Sequence, residues 1–315
     1  MTPPNVTARP ARRRLRRIEL PVNGAEDVLV DADGDVWTGT EDGSIFRVSP
    51  DGSLLQKVAE TGGRPLGLEL LADGRILVCD ARAGLLAVDA TGSVETLLDE
   101  VDGVPMKFCN NAAVAADGDI WFSDSSTLHS IEAWKADFIE DPRTGRLLCR
   151  RADGTVEVHL HGLGFANGVA LAPDDSFVCV AESVRRTVVR LWLTGDRAGT
   201  RDLLAADLPG YPDNISLGSD GLIWVTIASP VDPVVEQLRA HAPLFVRKLL
   251  TRLPDALQPA PRRTVRAQAF DPEGRLVHDV EAEASDFHMA TGVREHDGEL
   301  WLGSLHEPAV AVVTV

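Results

Sequence analysis

Residues 28–39 read VLVDADGDVWTG: a short apolar run, an Asp-Gly turn and a second apolar run that carries a tryptophan. Asp-Gly between two alternating apolar runs is a strong hairpin signal, because a tight turn needs positive φ at its centre. The unit returns at 68–80 (LELLADGRILVCD), 112–124 (AAVAADGDIWFSD), 169–182 (VALAPDDSFVCVAE), 215–226 (ISLGSDGLIWVT) and 293–304 (VREHDGELWLGS). Its turn aspartates, Asp33, Asp73, Asp117, Asp174, Asp220 and Asp297, lie 40, 44, 57, 46 and 77 residues apart. Periods of about 40–50 residues are those of a propeller blade, a four-stranded sheet beside a central channel. Six copies predict an all-β chain, a six-bladed β-propeller, each blade taking its second hairpin from the sequence between units. A pair of sandwiches would leave the repetition unexplained. RRIELPV, just before the first unit, is placed to complete the last blade.

The longest interval holds an insertion. Residues 232–257 (DPVVEQLRAHAPLFVRKLLTRLPDAL) space their apolar side chains helically, with Val234, Val235 and Leu238 in one group and Leu244, Phe245 and Leu249 in another. Pro243 and Pro254 break the run. It reads as a short helical excursion that covers one mouth of the propeller, or else as a structural cap or oligomer contact. Residues 13–315 then form one propeller domain, preceded by a flexible arm over 1–12.

The formal charge of −17, from 48 acidic and 31 basic residues, repels phosphate backbones and anionic lipid heads. It argues against nucleic-acid and membrane partners. The basic run at 9–17 (RPARRRLRR) leads straight into a strand and reads as a solvated arm. No stretch approaches the roughly 20 apolar residues of a membrane span, and the first 25 residues lack a secretory apolar core. A cytoplasmic location is therefore expected. Cys79, Cys109, Cys149 and Cys179 are scattered, two of them inside apolar strand patterns, which predicts buried thiols rather than structural zinc. Motifs for a serine nucleophile elbow, a P-loop and a dinucleotide site are absent. Trp37, Trp121, Trp224 and Trp301 occupy second strands and suit packing between blades.

Seven residues before the turn aspartates stand Glu26, Leu66, Asn110, Asn167, Asp213 and Ala290. Equivalent positions of a propeller occupy equivalent places, and this phase is the channel end of each innermost strand. Four oxygen-bearing side chains therefore converge, and the next position adds Asp27, Asn111 and Asn214. Carboxylates mixed with amide oxygens, without Cys or His, suit calcium, with magnesium, manganese and zinc as weaker alternatives. Without a cation Glu26 and Asp213 would repel each other; a metal would relieve this and lower both pKa values.

These residues resemble the strictosidine synthase-like branch of the calcium-dependent propellers that include gluconolactonase/regucalcin and paraoxonase relatives. The resemblance runs through GAEDVLVDADGDVWTGTEDG, FCNNAAVAADGDIWFSDSS, GFANGVALAPDD and LPGYPDNISLGSDGLIWV. It implies Glu26, Asn167, Asp213 and, beside it, Asn214 as metal ligands, with Asn110 binding the metal directly or through water and touching substrate. Leu66 stands where paraoxonases place a histidine, so that base is missing, and Phe108 stands where sugar lactonases place an arginine, which argues against a highly charged sugar acid as substrate; both are candidate substrate contacts. His288 replaces the catalytic glutamate of strictosidine synthases, which weakens a plant-type condensation and makes His288 itself a candidate base or substrate contact. His159, His161, His241, His278, His296 and His306 show no metal-ligand spacing. The expectation is a metal-dependent hydrolase of a small, fairly apolar ester or lactone, with Asp213 or Glu26 as base. A metal-assisted bond-forming or lyase enzyme and a non-catalytic calcium-stabilised binding scaffold are the alternatives.

Overall fold

Each Asp-Gly unit becomes the two inner strands of a four-stranded antiparallel sheet in the computed structural model, which describes residues 11–254, 257–283 and 285–315. From channel to rim, blade 1 is Leu29–Val30, Val36–Gly39, Ser44–Val48 and Leu55–Glu60; blade 2 is Pro65–Leu70, Ile76–Asp80, Gly84–Val88 and Val94–Leu98. Blade 3 comprises Cys109–Val114, Ile120–Asp124, Gly145–Arg150 and Val156–Leu163; blade 4 comprises Ala166–Leu171, Phe177–Glu182, Thr187–Trp192 and Arg201–Ala205. Blade 5 is Gly210–Leu217, Ile223–Pro230, Val265–Phe270 and Leu276–Ala282. Blade 6 takes three strands from the end of the chain, Ala290–His296, Glu299–Ser304 and Ala309–Thr314, and its fourth from Arg16–Glu19. The ring is thus closed by the segment that precedes the first unit.

Turn chemistry explains why the units read as they do. Gly34, Gly74, Gly118 and Gly221 take φ of +78° to +89°, and in blade 4, where the glycine is missing, Asp175 holds φ of 54° in its place. Among the turns of the six units, Asp297 and Gly298 alone both adopt positive φ, the two-residue arrangement of a tight hairpin. The Asp31 carboxylate accepts the Asp33 and Asp35 amides and the Trp37 indole N–H, tying turn to tryptophan. Trp224 donates likewise to Asp220.

Among the described residues the core has six interblade parts, one between each pair of neighbouring blades, and a seventh around Leu66, Phe108 and Phe165. Leu29, Trp37, Leu68 and Val78 pack blade 1 on blade 2, and Ile18, Val36, Trp301 and Val310 pack blade 6 on blade 1. The four cysteines are buried in this packing with free thiols.

Two features lie outside the plain ring. Ala11–Arg13 runs parallel to Leu276–Ala282 at the rim of blade 5, and residues 1–10 of the expected arm lie outside the described residues. The expected helical excursion is present as α1 and α2, Pro233–His241 and Leu244–Leu250, inserted between the second and third strands of blade 5. Its residues 255 and 256 also lie outside the described set. Asp232 caps α1 by accepting the Val234 and Val235 amides. A further helix, Trp134–Glu140, follows the second strand of blade 3. Among the described residues no helix is long and apolar enough to cross a membrane.

Ring closure gives a direct prediction. Ile18 is 7% exposed, at the core between the last blade and the first. Ile18→Ala should cost about 2–5 kcal/mol in urea unfolding, whereas Glu19→Ala on the solvent face should change stability by less than about 0.5 kcal/mol.

Candidate active site and metal centre

The inner strands of blades 2 to 6 share one irregularity. Pairing with the second strand slips at the same phase each time, between Pro65 and Leu68, Cys109 and Ala112, Ala166 and Val169, Pro212 and Ile215, and Ala290 and Val293. Such a bulge re-aims the side chains it contains. Leu66, Asn110, Asn167 and Asp213 lie within these slips, and Glu26 stands just ahead of its strand with its N–H on the Gly39 carbonyl. All five line one cavity, whose empty volume is about 880 Å³ with its open mouth included.

The cavity has an acidic floor and an apolar wall. Leu66, Phe108 and Phe165 pack with Trp134 and Phe138 to make the wall, and Phe108 meets Phe165 edge-on at 5.3 Å. Tyr211 closes the side nearest the insertion: its hydroxyl donates to Glu236 and accepts the Asp232 amide. Phe138 stacks edge-on against it at 4.8 Å.

On the floor the negative charge is poorly compensated. Burial, then Asp213, then Asp27 push the Glu26 carboxyl well above its ordinary range, and nearby Arg64 only partly offsets this. Asp213, still partly open to the cavity, is pushed up to about 7, chiefly by burial. Asp27 is raised to about 6 for the same reason.

The amides point the same way. The carbonyl oxygens of Asn110, Asn167 and Asn214 are buried without a hydrogen-bond partner. Asn167 turns its NH₂ to Ser183 at 3.3 Å, and Asn214 turns its own to both oxygens of Glu26 at 3.2 and 3.3 Å. A buried acceptor left bare costs about 1–3 kcal/mol, and bare amide oxygens beside two carboxylates form the donor set of a hard cation. The residues therefore fit a calcium-type ion held by Glu26, Asn110, Asn167 and Asp213. Among the described residues no group of three or more His, Cys, Asp and Glu is placed to bind metal, so the set relies on amide oxygens, which disfavours zinc.

A second layer holds the first. Asp27 accepts the Leu68 amide at 3.0 Å and the Asn111 side chain at 3.2 Å, and Asn111 accepts the Val169 amide at 2.8 Å. Gly67 and Gly168 alternate with these polar residues because the strands approach too closely for a side chain: a Cβ on Gly168 would lie 2.0 Å from the Ile215 nitrogen.

Two expected site residues are placed differently. Asn214 stands behind Glu26 and orients it rather than lining the cavity. His288 is outside the cavity altogether, with its Nδ1 on the Glu307 carboxylate, Arg263 at 3.4 Å and its ring stacked on His306. Sequence reasoning missed Ser183, Tyr211 and the Trp134/Phe138 pair. The i,i+4 spacing of that pair in WKADF was an available signal; the other two carried none.

Known proteins resemble this chain in sequence and in fold. A family model described as the SMP-30/gluconolactonase/LRE-like region matches residues 43–235, and one described as strictosidine synthase-like, N-terminal, matches residues 13–48. Protein strictosidine synthase-like 4 of Arabidopsis thaliana is 33% identical over 236 residues, which are 73% of this chain but only 62% of that relative. A gluconolactonase from Xanthomonas campestris superposes with a TM-score of 0.70 at 15% identity, covering 98% of this chain and 95% of the other. Regucalcin from Agrobacterium tumefaciens, a calcium-binding protein, gives 0.65 at 13% identity over 94% and 92%.

The raised carboxyls carry a pH dependence in metal-free protein. A folded pKa of about 7 against an ordinary 3.8 for Asp213 means the folded form binds the proton more tightly, so ionisation destabilises it between those values. After chelation, Asp213→Asn should gain stability over wild type as pH rises from about 4 to 7, then level off, read by urea unfolding. Excess calcium should reverse the order by stabilising only the wild type.

Proposed function

Since the chain belongs to the SMP-30/gluconolactonase/LRE-like family, in its strictosidine synthase-like branch, we propose that it is a calcium-dependent hydrolase of small, apolar esters or lactones. The family supports a lactonase-type hydrolase at a coarse level. The observation that carries the finer reading is the pairing of an apolar aromatic wall with a floor of bare amide oxygens and two carboxylates, Glu26 buried and Asp213 partly open to the cavity.

When bound, the cation supplies Lewis-acid polarisation of the substrate carbonyl and stabilisation of the oxyanion. Glu26, Asn110, Asn167 and Asp213 hold it, and Asn214 fixes Glu26 through its NH₂. Asp213, the floor carboxylate with a face open to the cavity, is assigned as the group that takes the proton from attacking water. Leu66, Phe108, Trp134 and Phe138 bind the apolar part of the substrate and exclude water from it. The absence of an arginine at Phe108 disfavours sugar acids. Four free, buried thiols suit the reducing conditions of the cytoplasm.

A bond-forming or lyase reaction at the same site is the second reading, favoured by the similarity to a strictosidine synthase-like protein. A calcium-stabilised scaffold without turnover is the third.

The test is to strip the protein with chelator and assay aryl esters and aliphatic lactones while calcium, magnesium, manganese and zinc are restored singly. Calcium should restore hydrolysis best, and Asp213→Ala should lower kcat by at least about a hundredfold. Binding of metal without turnover of any ester or lactone would move the assignment to the other two readings.

A further inference from the structure

The two-helix insertion carries a surface that the cavity does not use. Of the fourteen large apolar side chains that stand exposed among the described residues, five fall within 232–257: Val234, Leu244, Phe245, Leu249 and Leu257. Phe245, Leu249 and Leu257 are 73%, 64% and 69% exposed. Most of the others lie scattered along blade strands and loops, where isolated exposed apolar residues are ordinary.

On α2 and the turn after it the exposed positions are Leu244, Phe245, Lys248, Leu249 and Arg252, the i, i+1, i+4, i+5 and i+8 spacing of a single helical face. The opposite face is the anchored one. Arg247 donates to the carbonyls of Ile139 and Glu140, and the Thr251 hydroxyl to the Glu140 carboxylate, seating α2 on the helix whose Trp134 and Phe138 line the cavity. The outward face therefore lies beside the cavity-lining helix and supplies none of these anchoring bonds.

Charge distinguishes this face from the rest of the molecule. Residues 237–254 contain no Asp or Glu in a chain whose net charge is −17; Lys248 and Arg252 stand on the exposed face, while the Arg239 side chain is buried against Glu236 and Arg247 belongs to the anchored side. Large apolar side chains interleaved with cations, and free of acids, match an anionic lipid surface: the apolar groups enter the headgroup boundary while the cations meet the phosphates. The chain-wide charge points away from lipid, but at an ionic strength near 0.15 M charges more than about 8 Å away are largely screened, so the local face decides.

We propose that the Leu244–Leu250 face is a docking surface for anionic lipid, which brings the neighbouring cavity close to a bilayer in which apolar substrates concentrate. The docking itself does not depend on which reaction the cavity performs. A second copy of the chain, meeting this patch with its own, is the competing occupant, but it would bring a second Lys248 and Arg252, and no acid from 237–254, to meet the first.

The full chain is mixed with phosphatidylcholine vesicles with and without phosphatidylserine, and bound protein is measured by sedimentation. The wild type should bind the anionic vesicles, release with added salt, and bind the neutral ones far less. Phe245→Ser/Leu249→Ser and, separately, Lys248→Glu/Arg252→Glu should each weaken binding by about tenfold or more, with melting temperature and hydrolysis in free solution unchanged. Absence of sedimentation, or binding that neither pair of substitutions alters, overturns the proposal. So does a dimer in light scattering that the same substitutions dissolve, which would assign the face to a second copy.

Discussion

The constraint on which the site depends is the enforced company of Glu26 and Asp213 with amide oxygens that have nothing to accept. Six inner strands converge at one end of the channel, and a bulge repeated in blades 2 to 6 turns the same phase of each toward the centre. Burial raises both carboxyls, and each raises the cost of ionising its neighbours. A protein without function there would gain by replacing Asn167 or Asn110 with an apolar residue, since a bare buried carbonyl is a standing penalty. A hard cation removes the penalty and the repulsion together.

Around that centre the rest of the structure divides its tasks. The interblade cores set the ring and hold the strands in phase, while Asp27, Asn111 and the close-packed glycines fix the floor from behind. The wall belongs to other parts of the chain: Phe108 and Phe165 come from the approaches to blades 3 and 4, and Trp134 and Phe138 from a helix outside the repeat. The ring thus positions charge, whereas departures from the repeat shape the space above it.

That division explains what could be read from the sequence. The hairpins, the blade count, the closing strand and the convergence of Glu26, Asn110, Asn167 and Asp213 all follow from one periodic unit, and periodicity is visible without coordinates. Leu66 and Phe108 were legible as apolar substitutions within that unit. His288 was not, because its position depends on a nonrepetitive loop and on Glu307, nineteen residues away, which draws the imidazole out of the cavity. Asn214 likewise adjoins a floor residue in sequence, but its direction is set by the bulge. Tyr211 and Ser183 belong to the site only through their contacts, the first with the insertion and the second with Asn167.

The most direct test of the central claim is a calorimetric titration of calcium into chelator-stripped protein, wild type beside Asn167→Leu. A single site per chain in the wild type, with affinity weakened by about tenfold or more in the variant and no loss of metal-free stability from the substitution, is the predicted result. Undiminished binding to Asn167→Leu, or no heat with the wild type, would show that these oxygens do not form a cation site.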